Sequence, residues 1–210
     1  MVQETIKFVK ETLNPSGDDY GIYGMQYRYE HTLRVAAIGK RIAIEEKLPV
    51  EALIIGCLLH DIGYSQCETA EECNKHAEFG EKVARAYLEK LNLPKELKES
   101  IGRGILIHDG DFSQIDGAPT TFELCIRDAD DIDRFDALRM GMSAKLVIGE
   151  HPVCDIINNC INRIKSLEPM LQHECATKTA NRLWQANITY QLDYFKRLLE
   201  QMESTHQTLI

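Results

Sequence analysis

One segment limits the fold more than any other: residues 49–61, Pro-Val-Glu-Ala-Leu-Ile-Ile-Gly-Cys-Leu-Leu-His-Asp. Proline suits the first turn of a helix, and from Ala52 to Leu59 the pattern is apolar nearly all round. A helix without a polar face must be surrounded by other elements, so this one is expected at the centre of a bundle. Its apolar run is far short of the roughly 20 residues needed to cross a bilayer.

The rest of the chain carries helical periodicity, and strand-type alternation is almost absent. Val2 to Leu13 reads as a first helix with Ile6, Val9 and Leu13 on one stripe, stopped by Asn14-Pro15-Ser16-Gly17. A second helix runs from about Tyr27 to Glu46, with Val35, Ile38 and Ile42 on one face. After the central helix, Gly63 suits a left-handed cap, and Ser65 to Asn74 reads as a polar loop. Further helices are expected over about His76 to Leu91, from Pro94 to near His108, and from Thr120 or Thr121 to about Met140, with a short one before Glu150. Cys154 to Leu171 and Thr177 to Glu203 resemble an antiparallel pair. The expected class is all-α: a compact helical bundle over residues 1–150, including the N-terminal helix, and a C-terminal helical pair over 151–210 packed on it.

Of the 210 residues 44% are hydrophobic, enough for a sizeable core. The net charge of -9 argues against extended nucleic-acid binding, which needs a basic face. The start of the chain, MVQETIKFVKETLN, lacks the basic region, apolar run and cleavage site of a signal peptide, so a cytoplasmic protein without membrane attachment is expected. Seven cysteines without a Cys-x-x-Cys pair fit neither a disulfide framework nor a zinc ribbon and are read as reduced thiols. Cys67, Cys73 and His76 are close in sequence but lack a fourth ligand for a structural zinc.

The histidines carry the chemistry. His31 precedes Val35 by one turn and shares its stripe; His76 shares a stripe with Phe79, Val83 and Tyr87; His108 follows Leu97, Ile101 and Ile105 at helical spacing. One inward histidine is ordinarily a core residue satisfied by backbone or water, but three are a different matter. His60 and Asp61 add a fourth imidazole and a carboxylate at the end of the most buried helix, where an unpaired carboxylate costs several kcal/mol. A divalent metal would remove that cost. In Arg127-Asp128-Ala129-Asp130-Asp131-Ile132-Asp133 four carboxylates crowd an apolar stripe and would repel one another unless a cation were near.

His31, His60-Asp61 and Ala129-Asp130 followed by Ile132 resemble the ordered His, His-Asp, Asp signature of the HD superfamily of metal-dependent phosphohydrolases, over roughly Tyr27 to Leu138. The resemblance implies a metal held by His31, His60, Asp61 and Asp130, with His60 and Asp61 at the catalytic centre. His76 and His108 fall where two-metal members place extra histidines, and Asp61 would then be the natural bridge. Periodicity alone turns Asp128 inward at least as well as Asp130; the resemblance selects Asp130 and leaves Asp128 as a supporting residue.

The chain departs from small bacterial relatives at Asp131, which stands where they carry an arginine. Phosphate contact would then pass to Lys75, Arg127 or Arg134, although each also reads as part of a solvated helix face. The implied activity is hydrolysis of a phosphate ester or anhydride, of a nucleotide or small phosphorylated metabolite, through a water activated by one or two divalent ions (Mn, Mg, Fe, Co, Ni or Zn). Two other readings stay open: a mixed-valent di-iron oxygenase of the HD type, and a regulatory module that binds a nucleotide without turning it over. The loops Pro15 to Gln26 and Asp109 to Pro119 are expected to shape specificity, and a homodimer is left open.

Overall fold

The computed structural model describes residues 1–15, 24–149 and 151–209, with side chains to residue 205. Among these residues there are ten α-helices and no strand, so the all-α expectation holds. They are α1 (Val2–Leu13), α2 (Met25–Glu46), α3 (Val50–Leu59), α4 (Ala70–Cys73), α5 (His76–Leu88), α6 (Lys95–Ile107), α7 (Thr121–Arg134), α8 (Ala137–Ile148), α9 (Val153–Leu167) and α10 (Lys178–Leu209). Among the described residues no helix is long and apolar enough to cross a membrane.

α3 is the centre its sequence demanded. Ala52, Leu53, Ile55, Gly56, Cys57, Leu58 and Leu59 are all buried, and α3 packs against α1, α2 and α6. Close approach of α2 depends on Gly39, where a Cβ would overlap the Cys57 sulfur. α1 ends as expected at Asn14, which adopts a left-handed conformation (φ 46°) and donates its N–H to the Lys10 carbonyl. Tyr87 of α5 stacks on Phe8 of α1 and donates its hydroxyl hydrogen to Thr5 Oγ1.

Gly63 departs from the reading of a left-handed cap. The glycines at positive φ among the described residues are Gly110, Gly117 and Gly149. Gly63 lies instead in a 3-10 turn, Ile62–Gln66, pressed so closely on α5 that a Cβ would run into the His76 carbonyl and the Gly80 nitrogen. The polar loop expected up to Asn74 also contains α4, started by a capping box in which Glu72 N–H donates to Thr69 Oγ1 while the Glu72 carboxylate accepts from Thr69 N–H. α7 stops at Arg134 rather than near Met140, because Asp136 takes extended backbone and accepts from Ala137 N–H, starting α8.

By internal contacts the chain forms two units: Met1–Asp133 with Cys175–Ala180, and Arg134–Glu174 with Asn181–Ile210. The grouping changes at Arg134, where the sequence suggested 150, so α8 belongs with α9 and most of α10. In the first unit, the N–H of Thr179 at the start of α10 donates to Glu46 at the end of α2. In the second, Ile156, Cys160, Ile164, Leu167, Trp184, Ile188, Leu192 and Phe195 form an apolar core, and Trp184 Nε1–H donates to the Met170 carbonyl.

Candidate metal centre

All six sequence-derived metal candidates converge in the first unit. His31 comes from α2, His60 and Asp61 from the end of α3, His76 from the first turn of α5, His108 from the end of α6 and Asp130 from α7. His31, His60, Asp61, His108 and Asp130 are buried and His76 nearly so.

Three of the imidazoles are aimed by one device. His60 Nδ1–H donates to the Cys57 carbonyl (2.8 Å), His76 Nδ1–H to Cys73 (2.8 Å) and His108 Nδ1–H to Ile105 (2.6 Å). Each acceptor lies three residues back, in a last helical turn whose carbonyls have no partner within the helix. The bond fixes the tautomer and leaves Nε2 as a lone pair pointing inward. His31 lies inside a helix, where the equivalent carbonyl is already used. Its Nδ1–H donates instead to Asp133 Oδ2 (2.7 Å), and Asp133 is itself held by Arg34 (2.8 Å).

The Nε2 atoms and carboxylate oxygens form two sets. In one, His31 Nε2 is 3.3 Å from His60 Nε2, 3.0 Å from Asp130 Oδ1 and 3.7 Å from Asp61 Oδ2, and His60 Nε2 is 3.6 Å from Asp61 Oδ2. In the other, His76 Nε2 is 3.1 Å from His108 Nε2, and Asp61 Oδ1 lies 3.7 Å and 3.4 Å from the two. Two donors about 2.1 Å from a shared ion are separated by about 3.0 Å at right angles and about 3.4 Å in a tetrahedron. The donor spacings therefore suit a divalent ion in each set. Imidazole lone pairs facing each other at such distances repel without a cation between them, so the donor chemistry also fits.

The electrostatics agree. Burial pushes the Asp61 carboxyl up, but His60, His108, Arg28 and His31 outweigh it and hold it well below the usual carboxylate range. Asp130 is likewise held well below that range, burial being overcome by His31 and His60. Burial lowers His31, yet Asp130 and Asp133 raise it to about 9. His76 is lowered by burial and by His108, and His108 is raised because Asp61 outweighs its burial. The buried carboxylates Asp61, Asp130 and Asp133 thus favour positive charge on His31 and His108.

Asp130, not Asp128, turns toward His60. Asp128 accepts from the Ala176 N–H (2.7 Å), and its carboxyl is pushed by burial up to about 6. Periodicity favoured both because α7 is covered on two sides. The supporting carboxylate is Asp133, on the turn after Asp130, rather than Asp128.

Three further residues went unnoticed in the sequence. Arg28, one turn before His31, donates from Nη1 to Asp61 Oδ2 (2.8 Å), and its guanidinium lies 3.6 Å from the centroid of the Tyr64 ring. Tyr64 stacks on His76 (4.4 Å between centroids), and Arg34 grips Asp133. Arg28 and Arg34 flank His31 at the spacing of one helical turn, the signal by which they could have been found.

The three cations expected to contact phosphate stand outside the cluster of metal donors. Lys75 is exposed at the start of α5, beside His76. Arg127 pairs with Asp131 and lies over Phe112, in the loop after His108. Arg134 is exposed at the end of α7.

A family model described as the HD domain matches residues 28–138, more than half of the chain and all six donors. The chain belongs to the HD-domain family. A crystal structure described as a predicted HD superfamily hydrolase, from an uncultured Thermotogales bacterium, matches with a TM-score of 0.64 and 22% identity, covering 95% of this chain and 91% of that one. At that identity the likeness speaks for the HD fold. No curated protein matches the chain.

Proposed function

We propose that this HD-domain protein is a metal-dependent phosphohydrolase acting on a nucleotide or a small phosphorylated metabolite. Family membership and the His/Asp clusters support a metal-dependent hydrolase of the HD type. The observation that carries the finer reading is the position of Asp61, whose Oδ2 faces His31 and His60 while its Oδ1 faces His76 and His108. A carboxylate in that position can serve two ions, and paired ions suit in-line displacement at phosphorus.

His31, His60, Asp130 and Asp61 Oδ2 would hold one ion, and His76, His108 and Asp61 Oδ1 the other. Divalent ions there would lower the pKa of a bound water toward neutrality and offset charge on phosphoryl oxygens. Asp61, held well below the usual carboxylate range, remains an anion at neutral pH and acts as a ligand rather than a proton donor. Arg28 keeps that carboxylate oriented. Its buried Nε has no hydrogen-bond partner among the described residues, and a phosphoryl oxygen would give it an acceptor. Lys75 and Arg127, next to His76 and the loop after His108, are the cations proposed to orient the distal part of the substrate.

The test is a phosphate-release screen over nucleotides and metabolite esters with Mn, Mg, Co and Ni in turn. Metal-dependent release is expected, lost in His60→Ala and in Asp61→Ala. Oxygen consumption by a bound iron pair, with no phosphate released from any substrate, would replace this reading with an oxygenase. Nucleotide binding without either reaction would indicate a regulatory module.

A further inference from the structure

We propose that Tyr64 is a positioning residue for the second ion set, holding the His76 imidazole in its ligating orientation with the face of its ring. The proposal rests on the two-ion reading above. Among the four histidines of the centre, His76 is the least enclosed: its side chain is 12% exposed, against 4%, 0% and 2% for His31, His60 and His108. The other three are locked in the interior, whereas His76 begins α5 directly after the α4 turn. A hydrogen bond from Nδ1 to Cys73 fixes one point of the ring but still permits it to swing about that bond. The Tyr64 ring, inclined by only 24° with centroids 4.4 Å apart, removes that freedom.

The opposite face of Tyr64 is covered by the Arg28 guanidinium, 3.6 Å from the ring centroid. Arg28 in turn donates to Asp61 Oδ2, on the side of the first set. The phenol is thus clamped between a cation tied to the bridging carboxylate and an imidazole of the second set. Gly63 makes the clamp feasible, since only a residue without Cβ lets the 3-10 turn approach the His76 carbonyl closely enough to lay the next side chain on the imidazole. The support comes from the ring face, so the hydroxyl is dispensable and flatness is not.

Mn(II) titrated into metal-stripped full-length protein, followed by calorimetry and by the electron paramagnetic resonance signal of a spin-coupled manganese pair, tests this. Wild type and Tyr64→Phe should each take up two ions with similar affinities. Tyr64→Leu and the volume-filling Tyr64→Met should bind the first ion normally and the second about 10- to 100-fold more weakly, the usual loss when a residue supporting a ligand is removed. Full second-ion affinity in both Leu and Met variants would overturn the proposal. So would equal weakening of both ions, which marks a general structural role, or a Tyr64→Phe loss as large as that of Leu. Circular dichroism identifies a Leu variant that fails to fold, and Met then decides. A wild type that binds fewer than two ions overturns the two-ion reading itself, and the proposal with it.

Discussion

His31 differs from the other histidines of the centre in what receives its Nδ1 hydrogen: a carboxylate, Asp133, rather than a carbonyl at a helix end. Arg34 donates to both oxygens of that carboxylate, so the orientation of His31 depends on two charged side chains. Asp133→Asn keeps an acceptor but removes the charge. It should weaken the first ion by about 10- to 100-fold in a competition titration against a fluorescent chelator. Asp128→Asn, on the same helix, should leave ion affinity within about twofold, because Asp128 faces Ala176 N–H and not the imidazoles. The histidines and Asp61 could be named from sequence because such residues at inward helical positions are costly without a cation, whereas Asp130 was chosen over Asp128 only by the resemblance to the HD signature. Arg28, Arg34 and Tyr64 escaped because ordinary surface residues have the same appearance, and Asp133 was noticed only as a member of the carboxylate cluster: an arginine one turn from a histidine means nothing until the fold shows what it faces.

At the scale of elements, the centre depends on helix ends brought together. The ends of α3 and α6 and the junction before α5 each offer free carbonyls to imidazole hydrogens. The junction is the tightest, and Gly63 sits within it. Gly63→Ala should cost ~2–4 kcal/mol, read as a lowered urea midpoint, since the added methyl meets backbone on α5 that cannot rotate away. The long helices were legible because their apolar stripes are long. The short features were not: α4 is announced by Thr69 and Glu72 but spans a single turn, and the break between α7 and α8 hangs on the cap at Asp136 within an otherwise continuous helical pattern. Gly63 itself was misread because a glycine needed for close approach looks in sequence like one needed for a positive φ.

For the molecule as a whole, the donors run from His31 to Asp130 and come from five helices, so an ion bound to them ties together chain segments that separate on unfolding. An ion held only by the folded state at about 100 times its Kd adds about 2.7 kcal/mol, which raises the melting temperature of a chain this size by about 5–10 °C. Removing the ions with a chelator should lower the midpoint of helix loss by that amount, and restoring Mn should reverse it. All six donors belong to the first unit, whereas the single tryptophan, Trp184, is buried in the second. The chain passes between the units at residues 133/134, 174/175 and 180/181, and α10 starts within the first unit, where its Thr179 N–H is bound by Glu46, before running into the second. Loss of the first unit therefore takes the Glu46 acceptor from the first turn of the helix that carries Trp184, which keeps only the local one at Thr177 Oγ1. Tryptophan fluorescence should then shift on chelation in the same direction as helicity but by less, and a fluorescence transition that stays in place while helicity moves would show that the ions stabilise the first unit alone.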